Sequence, residues 1–256
     1  MRELERIADQ PHPLLRRHAT VVAVVGAGRM GTALAAALAE AGYEVGDPVG
    51  RGEVPAGCDA ILLCVPDSEI AAAAATVAGA AEFIGHTSGA TPLSALQPAG
   101  AQAFGLHPLQ TVTGATRFEG CGCATAGSTP EALELADRMA RDLGMTPFEV
   151  RDHQRAAYHA AASIASNFLV TLQAEAEMLA DAAGIEGFDA RAMLGPLVRT
   201  TVENWIAVGP ERALTGPVAR GDHATVAAQR AAIASLRPQL EPLFDRLVER
   251  TEALAS

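Results

Sequence analysis

The sequence predicts an α/β fold: a doubly wound parallel sheet followed by an all-α C-terminal part. Three observations lead there. Short β-branched or apolar runs, bounded by Gly and Pro, alternate with helical patterns as far as residue 150. A glycine-rich turn, Gly26-Ala27-Gly28-Arg29-Met30-Gly31, joins the first such run to the first helical pattern. Beyond Arg151 every patterned stretch reads helical and no strand pattern returns.

Val21 to Val25 (VVAVV) is the first strand, and an Ala/Leu-rich helix runs from about Arg29 to Ala41, where Gly42 ends it. Tyr43 to Val49 reads as a second strand, weakened by Gly46 and Pro48. Arg51 to Gly57 reads as a loop, with little room for a full crossover helix. The near-continuous apolar run Asp59 to Val65 suits a parallel strand covered on both faces. Pro66-Asp67-Ser68 opens the next helix, with Asp67 or Ser68 as N-cap. Glu82 to His86 and Ala103 to Leu106 are two more short strands, and Thr91-Pro92 between them supplies a cap and a first-turn proline. Cys121 to Ala126, a helix from Thr129-Pro130 to about Leu143, and Thr146 to Val150 complete this part.

Asp152 then caps a pattern that reads helical to Gly184, roughly 48 Å at 1.5 Å per residue. It is apolar on most faces, so it is expected as a buried spine. Further helical stretches cover about Asp189 to Val208, His223 to Ser235 and Pro238 to Leu254. The expected organisation is an N-terminal extension at 1–19, a sheet domain at 20–150 and a helical domain at 151–256.

Composition narrows the function classes. The 256 residues are 49% hydrophobic and 19% charged, which is globular composition, and the net charge of −11 disfavours nucleic acid and anionic membrane surfaces as partners. No apolar run approaches the roughly 20 residues that span a bilayer. Met1 to Thr20 is polar and lacks the apolar core of a secretory signal, so a cytoplasmic location is expected. Cys58, Cys64, Cys121 and Cys123 show neither C-x-x-C nor zinc-site spacing and read as reduced core residues, with no metal site expected. All 19 basic residues are arginine. Schiff-base chemistry, a phosphate-loop NTPase and a lysine general acid are thereby excluded.

The glycine string alone is a weak signal, but its strand-turn-helix context is strong. Gly26 permits the tight turn, Gly28 lets a pyrophosphate approach the backbone, and Gly31 allows close helix–strand packing. The helix N-terminus supplies free N–H groups for phosphates. This is the pattern of a Rossmann dinucleotide site, the alternative being a Rossmann-like fold without cofactor. If the second strand stops at Gly46, Asp47 is placed to bind the ribose 2′-hydroxyl of NAD. If it continues to Val49, Arg51 sits at its tip and can bind a 2′-phosphate, with Arg29 assisting. NADP is the preferred reading and NAD the lesser one.

The strings GAGRMGTALA (26–35), LLCVPDSEI (62–70), HTSGA (86–90), HPLQT (107–111), YHAAASIASNFLV (158–170) and LTGPVARGDHATV (214–226) resemble the 6-phosphogluconate-dehydrogenase-like oxidoreductases, which include pyrroline-5-carboxylate and ketopantoate reductases. They are similar in particular to a branch that pairs a Rossmann-like domain with a helical C-terminal domain of unknown function. The resemblance spans nearly the whole chain beyond residue 20, and its last three strings are the distinctive ones. It implies NADP binding at Gly26, Gly28, Arg29, Met30 and Gly31, with Arg51 at the position typical of NADP-preferring relatives. It also implies that Val65-Pro66 and Thr87-Ser88-Gly89 approach the nicotinamide, and that the helical domain forms a homodimer. One departure matters. Several relatives place a catalytic lysine four residues before an asparagine; here Asn167 is preceded at that position by Ser163. The lysine mechanism does not carry over, although pyrroline-5-carboxylate reductases work without that lysine.

His159, Ser163 and Asn167 fall at i, i+4 and i+8 of one predicted helix, hence on one face. His159 could donate a proton and Asn167 could orient a substrate, or the stripe could make ordinary interhelical hydrogen bonds. His86 and His107 follow strand carboxyl ends, where ligands bind in open α/β sheets, though such a histidine often just bonds neighbouring backbone. Arg220 precedes a helix that Asp222 caps. It is either a carboxylate-binding group or an ordinary surface arginine. The expected function is reduction of a small, carboxylate-bearing carbonyl or imine with NADP(H). The alternative is a non-catalytic dinucleotide sensor.

Overall fold

The computed structural model describes residues 20–50, 52–113, 116–185 and 189–256. The N-terminal extension and Arg51 lie outside the described residues. Val21–Val25 forms β1, and Arg29–Glu40 forms α1, which stops where Gly42 takes a φ of 93°. β2 is only Glu44–Val45, paired parallel to β1. The chain nevertheless rejoins the sheet edge at Val49, whose N–H bonds the Val24 carbonyl and whose carbonyl accepts from Gly26, each at 2.9 Å. Pro48, which has no N–H to donate, sits in the gap.

β3 (Ala60–Leu63) is buried at every residue. A single 3-10 turn at Asp67–Glu69 leads into α2 (Ile70–Thr76). Neither Asp67 nor Ser68 is the cap expected for this helix. Pro66 holds the cap position of the turn, and Asp67 Oδ2 instead accepts from Ser88 Oγ at 2.8 Å. β4 (Phe83–His86), a 3-10 helix at Leu93–Ala99, β5 (Gln102–Pro108), β6 (Gly122–Gly127), α3 (Pro130–Asp142) and β7 (Thr146–Glu149) follow. Thr129 caps α3, its Oγ1 accepting from Ala132 N at 3.1 Å, with Pro130 in the first turn.

The seven strands run in the order β2-β1-β3-β4-β5-β6-β7. All neighbours are parallel except β5 and β6. That reversal departs from an all-parallel sheet because no helix among the described residues separates those two strands, so the chain doubles back instead of crossing over. The sheet is a Rossmann-type doubly wound sheet with a core on each face. Leu34 and Leu38 of α1 and Leu135 and Met139 of α3 cover Leu62, Phe104 and Leu106. Ile70, Val77 and Leu96 cover Ile61, Leu63 and Ile84 on the other face. Each such side chain contributes about 1.5–3 kcal/mol through burial.

After β7 a 3-10 turn at Asp152–Gln154 starts α4 (Arg155–Ala165). The expected 32-residue spine is two helices: Ser166, at φ −116° and ψ −72°, stays in the right-handed region but departs from ideal helical angles, and α5 (Asn167–Ala182) begins beyond it. Ser163, Ser166 and Asn167 crowd the break, and such side chains compete for the backbone groups that would continue a helix. α6 (Ala190–Val208), α7 (Pro210–Ala213), α8 (His223–Leu236) and α9 (Glu241–Ala255) complete the chain. The strands end near residue 150, whereas the two compact units part at Ile164, so α4 belongs with the sheet and Ala165–Ser256 forms the helical unit. The spine is not buried within this chain either. α5 has no buried residue, and Ile233 is the sole buried residue of the helical unit among the described residues.

Candidate active site

The three glycines of the turn meet different surroundings. Gly26 has a φ of 111°, and a Cβ there would overlap the Cys64 carbonyl. A Cβ on Gly31 would overlap the Gly26 carbonyl, so only hydrogen lets α1 pack against the turn. Gly28 is different. Its backbone is extended, and nothing stands within 4 Å of the place a Cβ would occupy. No side chain caps α1, so its first N–H groups are open to an anion. This cradle fits a pyrophosphate.

Around the cradle, Arg29 is exposed and lines a groove of about 1020 Å³ that extends along α1 to Glu40. Met30 turns its side chain into the core beneath α1, which leaves only its backbone for a ligand. Val65 stands within 3.4 Å of the Gly26 position, while Pro66 turns the chain into Asp67. At the sheet edge, Gly50 N donates to Glu53 Oε1 at 2.8 Å, in the turn that follows Val49. Arg51, on which the NADP preference was placed, lies outside the described residues.

A second cluster forms where β4 and β5 end, on the same edge as the glycine turn because β1, β3, β4 and β5 all run parallel. Ser88 organises the turn after β4. Its Oγ donates to Asp67 and accepts from Thr91 N at 2.9 Å and Ala90 N at 3.2 Å, while its N–H bonds His86 Nδ1 at 3.2 Å. His86 is fully buried, and burial with nearby Arg155 pushes its pKa down to about 4, so the ring is neutral. Its role is to hold the turn. Nε2, which must then carry the proton, makes no hydrogen bond of ordinary geometry among the described residues, although the Pro92 carbonyl lies near the ring.

His107, near the end of β5, has its Nδ1 2.7 Å from Tyr158 Oη. Its ring meets those of Tyr158 and His159 edge-on, with centroids 5.6 and 6.3 Å apart. Tyr158 in turn stacks edge-on against Phe148 of β7 at 5.8 Å. Burial, with His159 and Arg155 nearby, pushes His107 down to about 4, and burial lifts Tyr158 to about 12. Gly89 closes the cluster: a Cβ there would sit 2.9 Å from His107 Nε2 and 3.0 Å from His159 Nδ1. Only glycine permits both imidazoles to converge on this turn.

Of the residues singled out from sequence, His107, His159 and Ser88 meet in one region. Ser163 lies one turn beyond His159 on α4, half-buried. Asn167 opens α5, one residue past the interruption at Ser166 that separates it from α4. Arg220 is exposed, in the turn before α8, and Asp222 caps that helix through Thr225 N at 3.1 Å. Arg155 and Tyr158 carried no assigned role in the sequence reading, and Gly89 was placed only near the nicotinamide. Their signal was available: Arg155, Tyr158 and His159 fall at i, i+3 and i+4, one face of one helix.

Among the described residues there is no cluster of three or more His, Cys, Asp or Glu able to hold a metal, and no helix is long and apolar enough to cross a membrane.

Several solved structures share this architecture. A Bacteroides fragilis protein described as an NADP oxidoreductase superposes with a TM-score of 0.77 at 20% identity, over 92% of this chain and 99% of that one. A Plasmodium falciparum pyrroline carboxylate reductase with NADP bound gives 0.60 at 12% identity, over 93% and 98%. An Aspergillus terreus reductive aminase in complex with NADPH and ethyl-5-oxohexanoate gives 0.60 at 18%, over 92% and 98%. At these identities the likeness is one of fold. No functionally curated protein matches the sequence. Residues 121–251, just over half of the chain, match the family described as a domain of unknown function, DUF2520, and the chain belongs to that family.

Proposed function

We propose that this protein is an NADP(H)-dependent reductase of a small carbonyl or imine compound. One observation carries the reading: the open cradle at Gly28 and the His107–Tyr158–His159 cluster lie on the same carboxyl edge of one parallel sheet. Ligands of open α/β sheets bind at that edge. NADPH would supply a hydride there. Gly26, Gly28, Arg29, Gly31 and the backbone of Met30 would hold its pyrophosphate, Arg51 its 2′-phosphate, and Val65, Pro66 and Ser88 would flank the nicotinamide. The imidazole cluster would manage the proton that the reduced oxygen or nitrogen requires. Ser163 is a candidate substrate-holding group on α4; Asn167 and Arg220, in the helical unit, are candidates by their chemistry alone, and the arginine makes a carboxylate-bearing substrate the first to test. The neighbours in fold that bind NADP(H) support the cofactor assignment.

Fluorescence titration with NADPH and NADH, followed by NADPH oxidation in the presence of 2-oxo acids, neutral ketones and cyclic imines, tests the proposal. Tight binding with turnover of one class supports it. Tight binding without turnover of any class moves the protein to the dinucleotide-sensor reading. No binding of either dinucleotide overturns it.

A further inference from the structure

We propose that Tyr158 and His107 act as one proton-delivery pair, with Tyr158 Oη–H donating to His107 Nδ1 and His107 Nε2–H presented at the turn formed by Gly89. The inference deepens the reductase reading and rests on it. Its geometry is the 2.7 Å contact between Nδ1 and Oη, together with the absence of a side chain at Gly89, beside which Nε2 ends. The direction of the hydrogen bond follows from basicity. A phenol is a stronger acid than a neutral imidazole N–H, and an imidazole nitrogen is a better acceptor than a phenol oxygen. Tyr158 therefore donates, Nδ1 accepts, and the ring proton stays on Nε2. The rings of Phe148 and Tyr158, at 5.8 Å, hold the phenol in place.

The proton balance closes. Hydride addition to a carbonyl carbon sends the π electrons to oxygen, which needs one proton. The Nε2–H bond breaks as the new O–H bond forms, and the Tyr158 O–H bond breaks as Nδ1–H forms. The imidazole exchanges one tautomer for the other, and after product release water gives Nε2 a proton as Nδ1–H returns its own to the Tyr158 phenolate, which restores the starting pair. With an imine, the same proton reaches nitrogen before hydride adds to carbon. A neutral imidazole suits the surroundings. His107 faces Tyr158, His159 and Arg155 from α4 and Asp67 from the turn after β3, while Cys121 and Cys123 lie near Tyr158. Burial holds both thiols above their ordinary range and therefore uncharged.

Nitrogen-15 NMR of the histidine rings in the intact protein is the first arm of the test, and it needs no substrate. His107 should show a protonated Nε2 and an unprotonated Nδ1 that persist from pH 8 to about 5, and Tyr158→Phe should scramble that tautomer. A protonated Nδ1 in the wild type overturns the pair. The second arm follows NADPH oxidation with 1-pyrroline and 2-oxobutyrate as probes. Tyr158→Phe should lower kcat by roughly 100-fold or more while the Kd for NADPH changes less than twofold. The wild-type kcat should stay level between pH 6 and 9, where an imidazolium donor would lose rate above about 6.5. Unchanged kcat in Tyr158→Phe, or a single decline near pH 6.5, overturns the relay. If no 2-oxo acid, neutral ketone or cyclic imine turns over, the reductase reading is what fails, and the NMR result still decides the hydrogen bond.

Discussion

Arg155, 2% exposed, donates from Nη1 to the main-chain carbonyl of Ser88 at 3.2 Å. The first turn of the helix after the sheet is thereby tied to the turn after β4. The same guanidinium gives Nε to Asp152 at 3.1 Å, and Asp152 also accepts from Leu93 N at 3.0 Å. One buried cation fixes three segments: the turn that bears Ser88 and Gly89, the start of the 3-10 helix, and the helix that carries Tyr158 and His159.

Replacing that cation should therefore be costly. Arg155→Met keeps much of the apolar stem but strands the Ser88 carbonyl and leaves Asp152 with only the Leu93 N–H. A loss of about 2–4 kcal/mol is expected, with Tm falling by roughly 5–10 °C. Calorimetry checks this, and a melting temperature within 2 °C of wild type would show that the contact contributes little.

The glycines offer a sharper contrast. Gly31→Ala forces a Cβ into the Gly26 carbonyl, so the variant should lose both thermal stability and NADPH binding. Gly28→Ala meets open space and should melt within about 1 °C of wild type, yet its methyl enters the cradle. NADPH affinity should then drop by at least tenfold without a change in fold. Equal NADPH affinity in Gly28→Ala and wild type would move the pyrophosphate away from this turn.

Much of this was legible in the sequence, and the reasons differ from element to element. The run at β1, the glycine turn and α1 agree at every local level, so pattern alone placed them. The caps at Thr129 and Asp222 follow from local side-chain chemistry and were equally readable. Asp67 was not, because its hydrogen bond reaches Ser88, a residue brought near only by the folded sheet. The antiparallel turn of β6 escaped because a strand's direction depends on what joins it to its neighbour, not on its own residues. Tyr158 and Arg155 look like ordinary surface residues of an Ala-rich helix until β5 and the turn after β4 arrive beside them. The break at Ser166 lies inside a continuous helical pattern, where single-residue departures leave little trace.

Cofactor choice is open to direct titration. Val49 bridges to β1 and brings Gly50, the residue before Arg51 in sequence, to the edge of the sheet beside Gly26. Arg51→Ala should weaken NADPH by about 1.5–3 kcal/mol, or roughly 10- to 150-fold, while NADH changes little. If the NADPH preference survives the substitution, Arg29 becomes the residue to replace next.

The helical unit should bring two chains together. Phe168, Val170, Leu197, Trp205 and Ile206 are each more than half exposed, against a single buried residue, Ile233, among those described in the unit. Apolar surface on that scale favours burial against a second copy. Light scattering at micromolar concentration should return the mass of two chains, and Trp205→Glu together with Ile206→Glu should shift it to one. A wild-type monomer would count against a homodimer.

The histidines set a limit on stability at acid pH. His86 and His107 are both held near pKa 4 in the fold, against an ordinary value of 6.5, because burial penalises the imidazolium. Between those values the unfolded chain binds more protons than the folded one, so stability falls as pH drops from about 6.5 toward 4 and is fully present above 6.5. For His86, with no exposed surface, the shift corresponds to about 3 kcal/mol. Carboxylates titrate below about pH 5, which leaves pH 5 to 6.5 as the window that isolates the histidines. Denaturation midpoints across that window should give a slope approaching two protons. His86→Gln removes one of the two titrating rings and should lower the slope toward one proton, whatever it does to absolute stability. A wild-type slope near zero in that window would mean that both rings accept a proton inside the fold, and the neutral state assigned to His107 would fall with it.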